Sequence, residues 1–268
     1  MSVSIAPQGY FVQRVGGERV TVNVLVPATA DPHTFEPKPD QLRALSRSPA
    51  YITIGVEFEQ AWLPRIQAAN RKMLMVDGAR GIERLPMAED TDHADAPAGQ
   101  AQDHDEELLD PHIWTSPRLA KIQTQTIAET LVQLDPAHRS EYEANLAVFQ
   151  RDLDALDGRI RAALEGASSR KFLVFHPSWA YFAQEYGLEM IAVEMGGQEP
   201  SARELAAVIA MAKGAGIRAV FAQPELSTRS AETIAREIGG QVVLISPLAP
   251  DWLANMERVA DAFAQALR

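Results

Sequence analysis

From residue 171 to its end the chain alternates short apolar, β-branched runs with helical patterns, and this alternation restricts the fold more than any other feature. KFLVF (171–175), MIAV (190–193), RAVFA (218–222) and VVLIS (242–246) read as buried strands. Residues 179–186, 201–215, 230–238 and 252–267 carry apolar side chains at helical spacing. Parallel neighbours need a long crossover, so the order strand–helix–strand implies a parallel sheet covered by helices. Ser201 and Glu204 stand three apart, the spacing of a capping box that opens the second of these helices.

The first third follows the same logic. Residues 3–7, 20–26 (VTVNVLV), 50–54 (AYITI) and 73–76 (MLMV) read as strands, and 40–47 and 60–70 as helices. The loop PATADPHTFEPKP after VTVNVLV holds four prolines, which exclude a regular helix or an interior strand. Residues 86–110 are acidic, nearly free of apolar side chains, and contain His93 and His104; they read as a mobile, solvated loop. Residues 117–164 form one long helical region, broken near Asp135-Pro136 because proline disfavours helix at the residue before it. A helix of that length spans a small domain at about 1.5 Å per residue, so it is expected to connect two lobes. The expected division is an N-terminal α/β lobe at 1–117, including the acidic loop, a linker helix region at 118–165, and a C-terminal α/β lobe at 166–268. Each lobe is expected to have its own core.

Composition narrows the partners. Twenty-five basic against 36 acidic residues give a formal net charge of −11, which argues against nucleic acid and against anionic membrane surfaces. There is no cysteine, so histidine and carboxylate are the only good metal ligands available. No stretch reaches the roughly 18–20 apolar residues of a membrane span. The start, MSVSIAPQGYFVQ, lacks a basic segment followed by an apolar one, so export would require a signal peptide already removed upstream of it.

Three of the six histidines share a context. His33 lies in Asp31-Pro32-His33, His112 in Asp110-Pro111-His112, and His176 in Phe175-His176-Pro177. His33 follows one predicted strand and His176 ends another, and ligands of open α/β sheets bind beyond the carboxyl ends of strands. Three neutral imidazoles suit Zn²⁺, with Zn–N distances near 2.0–2.1 Å and tetrahedral geometry. No HExxH or CxxC spacing is present, so spacing alone is equally compatible with proline-flanked surface or capping histidines.

Longer segments resemble one family. VTVNVLVPATADPHTFEPKPDQL, DPHIWTSP and KFLVFHPSWAYFAQEYGL are similar to the three ligand-bearing segments of the zinc and manganese substrate-binding proteins of ABC importers. GGQEPSARELAAVIAMAK, AVFAQPELSTRSAETIAREIGG and SPLAPDWLANM continue the pattern, and the resemblance covers the chain from Val3 onward. It implies two α/β lobes, each a mostly parallel sheet with flanking helices, joined by one long rigid helix, with the metal between the lobes. It implies His33, His112 and His176 as metal ligands. Manganese-type relatives carry a carboxylate where this chain has His176, and nitrogen donors favour zinc.

Two positions depart from the family pattern. Ser246 stands where many relatives have a ligating Asp, which leaves Asp251, or water, as the expected fourth ligand. Gln223 stands where Glu is common, and sequence gives it no reading. Glu57 and Glu59 are expected either to orient an imidazole or to sit in a charged loop, and Trp179 and Tyr181 to line the core or cleft. The acidic loop, with His93 and His104, resembles a metal-collecting arm; the other reading is a solvated linker.

The resemblance implies high-affinity Zn²⁺ capture and delivery to the membrane permease of an ABC importer by a periplasmic, non-enzymatic, monomeric binding protein. The alternatives are a Mn²⁺ or other divalent-metal binding protein of the same system, and a three-His zinc hydrolase or lyase.

Overall fold

Two four-stranded, all-parallel sheets with the same strand order form the frame of the molecule. The computed structural model describes residues 1–87, 109–194 and 200–268. The first sheet contains β1 (Ser2–Val3), β2 (Asn23–Val24), β3 (Ala50–Thr53) and β4 (Leu74–Asp77), ordered β2-β1-β3-β4. The second contains β5 (Lys171–Val174), β6 (Glu189–Ala192), β7 (Ala219–Ala222) and β8 (Gln241–Leu244), ordered β6-β5-β7-β8. In both, the chain winds one way from the first strand and then the other way, so each sheet has a switch point where a crevice opens beyond its carboxyl edge.

The flanking helices are α1 (Ala6–Gly16), α2 (Pro39–Leu45) and α3 (Glu57–Ala69) in the first lobe. In the second they are α6 (Ala180–Tyr186), α7 (Ala202–Gly214), α8 (Arg229–Glu237) and α9 (Trp252–Ala266). Ser201 caps α7 as its sequence predicts, with Glu204 returning to the Ser201 backbone N–H at 2.6 Å.

Two local expectations are corrected. Residues 5–7 do not extend a strand: Pro7 opens α1, where its missing N–H costs nothing, and Phe11, Val12 and Val15 give that helix a buried stripe. The second strand is also shorter than VTVNVLV, although Leu25 and Val26 still donate to the carbonyls of Val3 and Ser4.

The long helical region is a hairpin rather than one rod. It comprises α4 (Pro117–Leu134) and α5 (Arg139–Leu164), with a 3₁₀ turn over Pro136–His138 between them. Lys121 near the start of α4 pairs with Asp154 well along α5, so the two run antiparallel. The connecting helix is therefore α5 alone, 26 residues and about 39 Å long. Its stripe of Tyr142, Leu146, Phe149, Leu153, Leu156, Ile160 and Leu164 is buried.

That stripe joins what was expected to be two separate cores. Phe149 of α5 lies 5.9 Å from Phe11 of α1, and Phe11 lies 5.0 Å from Trp252 of α9, centroid to centroid. One apolar cluster runs through both lobes, and a smaller one covers the other face of the second sheet. A shared core opposes large rigid-body separation of the lobes, because separation would expose it to water. Leu153 is fully buried in this seam. Leu153→Ala is expected to destabilise the whole chain by about 2–5 kcal/mol in urea unfolding, in a single transition. Two separated transitions would show that the lobes are independent.

Candidate metal centre

The repeated Asp-Pro-His triplet builds the same turn twice. The Asp31 carboxylate accepts the backbone N–H of His33 at 2.9 Å, and the Asp110 carboxylate accepts that of His112 at 2.8 Å. Proline between them contributes a fixed φ and no competing donor. His33 thus hangs from the loop beyond β2, His112 from the segment entering α4, and His176 from the carboxyl end of β5 at the switch point of the second sheet. These three form the one group of metal-capable side chains among the described residues, with one nitrogen from each within 4.8 Å of the others. His112 and His176 are buried and His33 is half-buried.

Each imidazole has a carboxylate on its far nitrogen. His33 Nδ1 faces Glu57 at 2.6 Å, His112 Nδ1 faces Asp110 at 2.7 Å, and His176 Nδ1 faces Glu194 at 2.9 Å. An ionised carboxylate only accepts, so each Nδ1 carries the proton and each Nε2 presents its lone pair to the centre. The Nε2 atoms of His33 and His176 lie 3.0 Å apart. Two lone pairs at that distance repel unless a cation or a proton lies between them. Tetrahedral Zn–N bonds would set adjacent nitrogens about 3.3 Å apart, so the His33–His176 pair already stands near ligand spacing.

The surroundings of His33 favour its charged form on balance. Burial opposes its charge, but Glu57, with Asp31 and Glu194 behind it, outweighs burial and raises its pKa. Burial lowers that of His176, and the neighbouring His112 and His33 add to the effect against Glu194. Burial works against the Glu57 anion, yet His33 holds its pKa below the ordinary carboxylate value.

Glu57 and Glu59 separate into different roles. Both lie in the first turn of α3, which begins earlier than its sequence pattern suggests. Glu57 faces His33, whereas Glu59 is buried against the first lobe. Its carboxylate accepts from the backbone N–H groups of Ile54 at 2.9 Å and Gly55 at 2.8 Å and from the Ser4 hydroxyl, and burial lifts its pKa to about 6. Glu59 therefore holds the loop that delivers Glu57 and does not touch an imidazole.

Asp251 does not join the histidines, contrary to expectation. Its side chain is 56% exposed and pairs with Arg258 at 3.0 Å at the start of α9. Ser246 donates to Glu225 and accepts the backbone N–H of Leu248 at 3.1 Å. Gln223 gains a reading: its amide donates to Ser178 Oγ at 2.7 Å and steadies the turn after His176. Trp179 is core, packed on Phe182 and Phe263. The acidic stretch with His93 and His104 lies outside the described residues for 88–108; its flanks meet in a bridge between Pro86 and Leu109.

Sequence reasoning missed Glu194 as a partner of His176. The available signal was its place just past the carboxyl end of β6, beside the β5 edge that carries His176.

Two α/β lobes joined by a helix, with a nest of carboxylate-backed histidines between them, define a two-lobed binding protein built to hold a cation. The chain belongs to the family of the periplasmic component A of zinc-uptake complexes, whose model matches residues 2–266. It is 47% identical to the protein in a crystal structure of ZnuA, with a TM-score of 0.90 over 100% of this chain and 98% of that one. A zinc-bound ZnuA deletion mutant matches at 47% identity and a TM-score of 0.90, over 99% of this chain and 96% of that one. The high-affinity zinc uptake system protein ZnuA of Bacillus subtilis (strain 168) is 26% identical over 246 residues, 90% of this chain and 76% of that protein.

Proposed function

We propose that this protein captures one Zn²⁺ with His33, His112 and His176 and delivers it to the membrane permease of an ABC importer, acting as a periplasmic monomer without catalysis. The observation that carries the reading is the convergence of three imidazoles whose far nitrogens each face a carboxylate. The names of the zinc-uptake relatives support the cargo and the route. Three nitrogen donors favour Zn²⁺ over Mn²⁺, which prefers oxygen. Water is the fitting fourth ligand, since the Asp251 carboxylate is turned to Arg258.

Capture and release follow from where the ligands hang. His33 belongs to the first sheet and His176 to the second, so small shifts of the His33 loop make or break the set while the shared core stays closed. We assign His33 and His112 to an N-terminal lobe at 1–117 and His176 to a C-terminal lobe at 166–268, with the linker helix region at 118–165 between them.

The test is competitive loading. Stripped protein equilibrated with equal Zn²⁺ and Mn²⁺ is expected to retain one zinc per chain by elemental analysis; retention of manganese, or of no metal, overturns the reading. Glu57→Gln is expected to weaken zinc binding by about 10–100-fold in a chelator competition, because the amide orients His33 without making its ring more basic. Unchanged affinity would remove Glu57 from the site's working parts.

A further inference from the structure

Two of the three histidines, His112 and His33, are linked behind their carboxylate partners by a strap made of residues 84–86 and 109–110. Asp110 donates its backbone N–H to the Leu85 carbonyl at 2.8 Å. The remaining N–H of Leu85 and carbonyl of Asp110 both turn to one hydroxyl. Tyr181 Oη accepts from Leu85 N at 3.0 Å and donates to Asp110 O at 2.7 Å. Tyr181 is 2% exposed and sits on α6, five residues after His176, so this hydroxyl reaches from the second lobe to a strap that serves the first.

Each end of the strap supports a different imidazole. Asp110 faces Nδ1 of His112. Arg84, next to Leu85, donates to the Ile54 carbonyl at 2.8 Å and lies over Gly55. Gly55 has φ +91°, a conformation that favours glycine, and the Arg84 guanidinium lies against it. That loop leads directly into Glu57, which faces His33.

We propose that Tyr181 is a positioning residue for the metal centre, its hydroxyl fixing the strap that orients His112 through Asp110 and His33 through Arg84 and Glu57. This rests on the zinc-capture reading and deepens it. The ligands of both lobes are registered to one another by a single side chain that touches no metal. Losing the hydroxyl leaves a buried donor and a buried acceptor unpaired, and the strap must shift to reach other partners. Burial, the largest influence on this group, keeps the phenol's pKa up at about 12, so the hydroxyl remains a donor at any pH the protein meets.

The experiment compares wild type, Tyr181→Phe, Asp110→Asn and the double variant as full chains, using Zn²⁺ for affinity and Co²⁺ as a spectroscopic probe. Tyr181→Phe is expected to raise the zinc dissociation constant by about tenfold and to alter the visible ligand-field bands of bound Co²⁺. Its effect is expected to be non-additive with that of Asp110→Asn, because both act through one path. A purely structural role would lower the melting temperature of the metal-free protein and leave the Co²⁺ bands in place. That result, or full additivity, overturns the proposal. If wild type fails to bind either metal, or binds it unchanged after His176→Ala, the zinc-capture reading falls and the inference with it. If wild type binds one zinc and loses it on His176→Ala while Tyr181→Phe keeps wild-type affinity and Co²⁺ bands, the zinc-capture reading stands and the positioning role of Tyr181 falls.

Discussion

His112→Ala is expected to lower the affinity for zinc by more than about 100-fold. Structural zinc sites contribute roughly 10 kcal/mol or more in total, so one ligand in three accounts for about 3 kcal/mol. Among the three, His112 is the most deeply buried, with only 3% of its surface exposed. The cavity left by its ring is small, and water entering it is a weaker donor than imidazole. The variant also leaves the buried Asp110 carboxylate without the ring that faces it, while its bond to the residue-112 N–H survives. The fold is expected to persist, since the shared core does not include this side chain. A chelator competition measures the affinity, and the melting temperature of the metal-free protein checks the fold. Wild-type affinity in a folded variant would remove His112 from the ligand set.

Acidification is expected to abolish zinc binding in a defined order. Metal and proton compete for the same Nε2 lone pairs, so affinity falls as pH drops through the histidine range. His33 comes first, because Glu57 and its acidic neighbours, working against burial, hold its pKa above the ordinary value. His176 follows His33, because burial, with the adjacent His112 and His33, lowers its pKa against the pull of Glu194. Binding at a pH low enough to protonate His33 releases that proton, measurable by calorimetry in buffers of different ionisation enthalpy.

Stability carries a matching sign. A raised His33 pKa stabilises the metal-free protein below the pKa of the unfolded chain, and that contribution is lost as pH rises through the folded value. Zinc loading contributes about 4 kcal/mol when free metal exceeds the dissociation constant a thousandfold, and that contribution is lost as pH falls. The melting-temperature gap between loaded and metal-free protein should therefore narrow steeply toward acid. A gap independent of pH would exclude a histidine-only ligand set.

The parts of this molecule that were legible in its sequence are those fixed by local pattern. Strand–helix alternation after residue 171 gave the second sheet, and the Ser201–Glu204 capping box gave the start of α7, because both depend on neighbours a few residues apart. The Asp-Pro-His triplets pointed to His33 and His112 because their turn is local as well.

What sequence did not reveal depends on contacts between distant residues. The helix α1 was hidden because its short apolar stripe abuts a two-residue strand, and Pro7 reads equally well as a strand end. The hairpin of α4 and α5 needs the tertiary contact between Lys121 and Asp154 to distinguish it from a bent rod. Glu194 faces His176 across 18 positions, and Tyr181 reaches Asp110 across 71, distances that no spacing rule covers. Asp251 lies close to Ser246 in sequence, but its surface pairing with Arg258 is a matter of side-chain direction that sequence does not carry.

The central claim is that one zinc ion sits among the Nε2 atoms of His33, His112 and His176. Crystals of the zinc-loaded protein, with diffraction recorded on both sides of the zinc absorption edge, test it directly. The account predicts a single strong anomalous peak bonded to all three nitrogens, at about 2.0–2.1 Å from each. A peak bonded elsewhere, or none among the three rings, would contradict it.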